Sequence, residues 1–156
     1  MDLSELKKFL FASNAAGYAG GDAKKWLKEK DGSTTIPFSQ GGWTSHDNYF
    51  GGEPYGGRIV VSYKNKPCWL MVYYGWVEED VDPDSVYRVL QDALKLMPAD
   101  FPFRGPQAFE HNGFRYLNSW QGDVGKYSGQ EQICLGEKIV YKAHYMGGLV
   151  DIKKAT

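Results

Sequence analysis

Apolar and polar positions along the chain change period several times, and each change marks an expected element. Leu3, Leu6 and Leu10 share one helical face, and Asp2 with Glu5 three residues on fits a capping box. This pattern predicts a first helix from about Leu3 to Ser13, with Gly17 as its stop. The charged stretch from Asp22 to Asp31, with Trp26-Leu27 at its centre, reads as either a short helix or an exposed loop. Thr34 to Phe38 and Trp43 to Phe50 read as strands around the turn signal Ser39-Gln40-Gly41-Gly42. Arg58 to Tyr63 and Cys68 to Tyr74 are rich in Val, Tyr and Trp and form a hairpin through Lys64-Asn65-Lys66-Pro67.

A second helix follows. Asp82 is its cap, and Pro83 takes the first position, where a missing N–H costs nothing. Val86, Val89, Leu90, Ala93, Leu94 and Met97 make one buried stripe, closed by Pro98. Beyond the rigid loop Phe101-Pro102-Phe103-Arg104-Gly105-Pro106, strands resume at Phe114 to Ser119, Glu131 to Leu135 and Ile139 to Tyr145. The expected architecture is α+β: one domain with a curved antiparallel sheet built from two similar hairpin units and packed by two helices. A faint repeat supports the two units. Sliding the chain by 72 places Tyr55, Gly57, Lys66, Tyr73 and Gly75 on Tyr127, Gly129, Lys138, Tyr145 and Gly147 without gaps.

Alternation also assigns faces. Trp69, Met71 and Tyr73 share one side of their strand, and Cys68, Leu70, Val72 and Tyr74 share the other. Both sides are apolar, so the strand is expected to be central with both sides covered. If the helices cover the Leu70/Val72 side, Trp69, Met71 and Tyr73 line the concave side, with Tyr141 and Tyr145 in the matching rows of the repeat. Gly57, Gly75, Gly129 and Gly147 stand where bulges or kinks would bend the sheet. The expected site is a cleft lined by Trp69, Tyr73, Tyr141 and Tyr145, with Arg58 or Glu131 near its rim as the polar anchor. The competing reading is that these rings are simply core.

Composition narrows the function classes. Eleven Tyr, five Trp and nineteen Gly fit a β-rich fold with partly wet aromatic faces. A formal charge of −1 argues against a nucleic-acid binder. Cys68 and Cys134 are far apart in sequence and outside any C-x-x-C, so both are expected free and reduced, with no zinc site. Acidic residues at the N-terminus do not suit a signal peptide, and the apolar run from Cys68 to Tyr74 is far too short to span a membrane. A cytoplasmic protein without a membrane partner is expected.

Candidate chemistry is sparse. His46, His111 and His144 lack metal-ligand spacing. His46 beside Asp47 is either an oriented base or, as the leading reading, a surface histidine near a strand end, and His144 is either a pocket residue or a structural histidine. Gly51-Gly52, Gly56-Gly57 and Gly147-Gly148 fit no phosphate-cradle motif, and no nucleophile elbow is present. The acids from Glu78 to Asp84 complement the second helix's dipole, and the lysines around Trp26 are offset by Asp22, Glu29 and Asp31. Nothing in the residues requires a cofactor. The leading expectation is a non-enzymatic domain that binds a small molecule or a protein partner. The alternative is an enzyme using the same cleft, with Asp47, Glu53 or Asp123 as acid or base and Arg58 or Arg104 holding an anion.

Five segments occur in order: Tyr18-Ala19-Gly20-Gly21, Asp47-Asn48-Tyr49-Phe50-Gly51-Gly52, Lys66 to Gly75, Phe103-Arg104-Gly105-Pro106 and Gly147-Gly148-Leu149. Together they resemble a bacterial and archaeal domain family of unknown function, found alone or behind an XRE-type helix-turn-helix in transcriptional regulators. The resemblance spans about Leu6 to Val150. It implies a regulatory or sensing context and no particular reaction, cofactor or site residue. The chain begins at the domain itself, so no DNA-reading module is expected, and Asn65 fills a turn position where Gly is usual.

With this charge balance and no helix-turn-helix pattern, no salt-sensitive binding to duplex DNA is expected at physiological ionic strength. Fluorescence anisotropy with random duplex checks this, and a shift that collapses on adding salt contradicts it.

Overall fold

A computed structural model describes residues 1–19 and 26–153. In chain order these form α1 (Leu3–Ala19), β1 (Leu27–Lys28), β2 (Thr34–Gln40), β3 (Trp43–Gly51), β4 (Tyr55–Tyr63), β5 (Lys66–Val77), α2 (Pro83–Lys95), β6 (Ala108–His111), β7 (Phe114–Asp123), β8 (Lys126–Leu135) and β9 (Lys138–Leu149). All the strands join one antiparallel sheet in the order β1-β2-β3-β4-β5-β9-β8-β7-β6. Two meanders, each preceded by a helix, therefore meet where β5 pairs with β9. The fold is α+β, as the alternation predicts.

The second helix matches its sequence signals closely. Asp82 Oδ2 accepts the Ser85 backbone N–H at 3.0 Å, and Pro83 occupies the first turn. Val86, Val89, Leu90, Ala93 and Leu94 are buried, while Met97 lies past the helix end and packs against the cluster around α1. The first helix departs from expectation. It continues through Gly17 to Ala19 instead of ending at Ser13. A helical glycine costs only about 1 kcal/mol, and the buried side chains of Leu6, Phe9 and Leu10 hold the helix on the sheet. Leu3 is exposed, and Phe9 takes its place on the apolar face.

The strands are longer than expected because their glycine-rich ends stay in the ladder. Gly57, Gly75, Gly129 and Gly147 all pair in register, and the register shifts of these two hairpins fall at Val61/Ser62 and Ile133/Cys134 instead. The β4–β5 turn is the two residues Lys64-Asn65, with φ of 48° and 64°, so Lys66 and Pro67 already belong to β5. Asn tolerates this left-handed conformation through local hydrogen bonding. Trp26 and Glu29 to Asp31 are exposed and irregular, as the loop alternative expects, while Leu27–Lys28 pair as a two-residue strand and Asp22 to Lys25 lie outside the described residues. The short edge strand β6 carried too few alternating positions to be seen in the sequence.

Both helices pack on one face of the sheet. Leu6, Phe9 and Leu10 of α1 meet Trp43, Val61, Trp69 and Met71. The stripe of α2 meets Val77, Tyr116, Ile133, Val140, Tyr141 and Ala143. The helices thus cover the Trp69/Met71/Tyr73 side of β5, the reverse of the arrangement considered for the cleft. The strand is central, but its opposite side is bare and not covered as its apolar pattern suggested, with Val72 and Tyr74 43% and 52% exposed. Large rings face the helices because an apolar helical stripe needs the bulkier, drier side of the sheet as its partner.

Glycine and tyrosine are matched across the strands. Tyr55 pairs with Gly75 and Tyr73 with Gly57, while Tyr127 pairs with Gly147 and Tyr145 with Gly129. At two of these pairs the ring lies over the glycine. A Cβ on Gly75 would sit 2.7 Å from Tyr55 Oη, and one on Gly129 would sit 2.3 Å from Tyr145 Cζ. At Gly57 and Gly147 the neighbouring strand's backbone comes as close. Glycine is therefore required here by close approach. Gly129→Ala is expected to destabilise the protein by about 1–3 kcal/mol through overpacking against Tyr145. Gly52→Ala, where a Cβ meets nothing within 4 Å, should stay near neutral. Urea midpoints of the two variants decide, and equal midpoints contradict the steric account.

Candidate functional site

Between α2 and the middle of the sheet lies a cleft of about 210 Å³. Tyr87, Leu90, Gln91 and Leu94 form one wall, spaced so that they share a face of α2. The sheet supplies Asp47 and Tyr49 from β3, Tyr55 and Ile59 from β4, Tyr73 from β5, and Ala143 and Tyr145 from β9. Glu131 from β8 and Arg104 from the loop after α2 complete the lining, with His144 between Ala143 and Tyr145. Tyr49, Tyr55, Tyr73 and Tyr87 are half-buried and Gln91 is exposed, so the cleft opens to solvent beside Gln91.

The floor is ionic. Glu131 is fully buried, and Arg104 forks onto it, with Nε 2.8 Å from Oε1 and an Nη 2.8 Å from Oε2. Tyr116 Oη donates to Glu131 Oε1 at 2.8 Å, which adds a third bond to the carboxylate. A buried carboxylate needs such multiple partners to offset its desolvation. The Arg104 guanidinium also stands 5.7 Å from the centre of the Tyr145 ring.

Tyrosine hydroxyls around the cleft are tied down. Tyr73 Oη donates to Asp47 Oδ1 at 2.6 Å. Tyr87 Oη donates to Glu53, whose other oxygen accepts the Val77 N–H at 2.7 Å. Tyr55 and Tyr141 share a bond of 2.6 Å between their hydroxyls, and Tyr145 donates to Asn118 Oδ1 at 2.7 Å. The rings of Tyr55 and Tyr73 lie 6.2 Å apart and those of Tyr55 and Tyr87 6.1 Å apart. Among the described residues no buried side-chain polar atom lacks a partner.

The expected site residues are divided by the structure. Tyr73 and Tyr145 line the cleft. Trp69 and Tyr141 lie in the core instead, where Trp69 Nε1 donates to the Val124 carbonyl at 2.9 Å. Their polar tips are satisfied inside the protein, so burial leaves no orphaned group to be wetted. Glu131 belongs to the cleft as its floor and not its rim. Arg58 pairs with Val72 and Asn48 and shares their face, opposite the cleft. Of the alternative acids and bases, Asp47 lines the cleft, Glu53 anchors Tyr87 beside it, and Asp123 binds the Gly125 N–H in the β7–β8 turn. Tyr49, Tyr55 and Tyr87 escaped the sequence reading. Tyr87 stands three residues before Leu90, at the edge of the apolar stripe, and Tyr55 stood in the repeat; both signals were legible.

A larger, shallower depression of about 670 Å³ occupies the bare face, where Val72, Tyr74, His144 and Met146 adjoin Ser119, Gln121, Ser128 and Gln130. Cys68 and Cys134 are free thiols. Among the described residues no cluster of His, Cys, Asp or Glu is arranged to hold a metal, and no helix is long and apolar enough to cross a membrane.

Burial pushes the hydroxyls of Tyr116, Tyr127, Tyr141 and Tyr145 well above the ordinary tyrosine range. Burial, reinforced by Glu53, does the same for Tyr87. The folded state thus keeps protons that the unfolded chain releases near pH 10. Their contribution to stability is complete below about pH 10 and is lost as pH rises above it. Alkaline titration should show fewer than eleven tyrosines ionising while circular dichroism stays native, with the rest appearing only on unfolding. Ionisation of all eleven in an intact fold contradicts this.

No curated protein and no solved structure gives a match to the chain. One family does match, described as Domain of unknown function (DUF5680), over residues 47–150. That span starts at Asp47 and takes in every residue that lines the cleft, while α1 and β2 precede it. The chain belongs to the DUF5680 family of domains of unknown function.

Proposed function

We propose that this protein is a small-molecule-binding domain of regulatory type, and that the cleft between α2 and the β5–β9 junction is its binding site. The observation that carries this reading is convergence: five tyrosines from β3, β4, β5, β9 and α2 meet over one buried ion pair, with solvent access. Concave, largely apolar sites with a few fixed polar groups are where small ligands bind. A volume of about 210 Å³ suits a compound smaller than a typical drug. The sensing context implied by the family resemblance and the cytoplasmic location expected from the residues fit a ligand-responsive module, by association alone.

We read the two meanders as copies of one hairpin-bearing unit. Tyr73 and Tyr145, which are 72 residues apart, face each other across β5 and β9, and the two register shifts are also 72 apart. Such an arrangement places the cleft where the copies meet, and lets one helix serve it while the other seals the core.

A thermal-shift screen of a fragment library tests the proposal. A true ligand at 100 times its Kd adds about 2.7 kcal/mol of stability. Gln91→Trp, at the exposed mouth, should leave the fold intact and erase the shift. A library without hits, or hits indifferent to Gln91→Trp, overturns the reading.

A further inference from the structure

Resting on the cleft as the binding site, we propose that its ligand class is a small organic cation, a primary or quaternary alkylammonium. Five tyrosines line the walls, and a ring quadrupole attracts a cation placed over its face within about 6 Å of the ring centre. Tyr55 stands between Tyr73 and Tyr87 at centroid spacings of 6.2 and 6.1 Å, which builds a corner of rings and not a flat stack. The hydroxyls of Tyr73 and Tyr87 both donate to carboxylates, Asp47 and Glu53. A phenol that donates to an anion carries a more electron-rich ring, and so a stronger hold on positive charge.

Charge points the same way. Of the lining residues, Asp47 and Glu131 are acidic and Arg104 and His144 are basic, which with a neutral histidine leaves a formal excess of one negative charge. Arg104 is engaged by both Glu131 oxygens and by the Tyr145 ring, so an entering anion would compete with an assembled ion pair. A cation gains from every one of these groups except Arg104. The wall is mostly apolar, from the rings together with Ile59, Leu90, Leu94 and Ala143, which favours an organic cation over a hard metal ion held by six or more oxygens.

Isothermal titration with two isosteric pairs tests the class: choline against 3,3-dimethylbutan-1-ol, and butylammonium against butan-1-ol. At least one cation should bind about tenfold more tightly than its neutral partner. Asp47→Asn should shrink that preference to within about threefold, and Tyr73→Phe, which keeps the ring but removes its bond to Asp47, should weaken the cation several-fold. Both variants are compared at melting points that verify folding, and the tyrosine variant decides if Asp47→Asn fails to fold. Equal or tighter binding of the neutral partners overturns the cation assignment, as does binding of both cations weaker than about 10 mM. If neutral binding is blocked by Gln91→Trp, the cleft survives and the ligand class falls. If cation binding persists in Gln91→Trp, the cleft itself is wrong and the proposal falls with it.

Discussion

A phenol is too large to waste and too polar to bury alone, and this fold is arranged around that constraint. The middle of the sheet, where β5 pairs with β9, is filled largely by tyrosine rings. The rings of Tyr55 and Tyr145 take flat space that the glycines opposite supply, and the hydroxyls of Tyr55, Tyr73, Tyr87, Tyr116, Tyr141 and Tyr145 find partners in Asp47, Glu53, Glu131, Asn118 or another tyrosine. A centre filled with leucine would close tightly. A centre filled with tethered rings keeps a gap.

The buried pair of Arg104 and Glu131 links this aromatic layer to the chain that follows α2. Tyr116, Asn118 and Tyr145 lie within the same network, and Asn118 Nδ2 in turn reaches the Gly105 carbonyl at 3.2 Å. The loop carrying Arg104 is therefore held against β7 and β8 by directional bonds, which set it more exactly than apolar contact alone. Removing a partner from a buried carboxylate is strongly destabilising. The loop, the strands and the floor of the cleft consequently rise or fall together.

Much of the fold was legible in the chain. The Asp82-Pro83 cap and the stripe from Val86 to Leu94 specify α2 through local chemistry, and alternation assigns Trp69, Met71 and Tyr73 to one face whatever the rest of the fold does. The repeat residues proved to be cross-strand partners, Tyr55 with Gly75 and Tyr145 with Gly129, a relation that composition alone does not reveal. The site was legible in part. Tyr73 and Tyr145 belong to the cleft, but Trp69 and Tyr141 share their faces and lie in the core, because alternation sorts sides and says nothing of depth beneath a helix.

What the sequence determines by itself is local: periodicity, capping, turn residues and the ring-to-glycine ratio, all of which act over a few residues and need no distant partner. Which side of β5 the helices would cover was decided only by tertiary structure, since both sides are apolar and the choice depends on how all the strands sum their faces. The same holds for Arg104 meeting Glu131, 27 residues away, and for Asp47 meeting Tyr73 across the sheet. Long-range polar pairs leave no periodic trace in a chain, because their geometry is set by the register of strands and not by the spacing of residues.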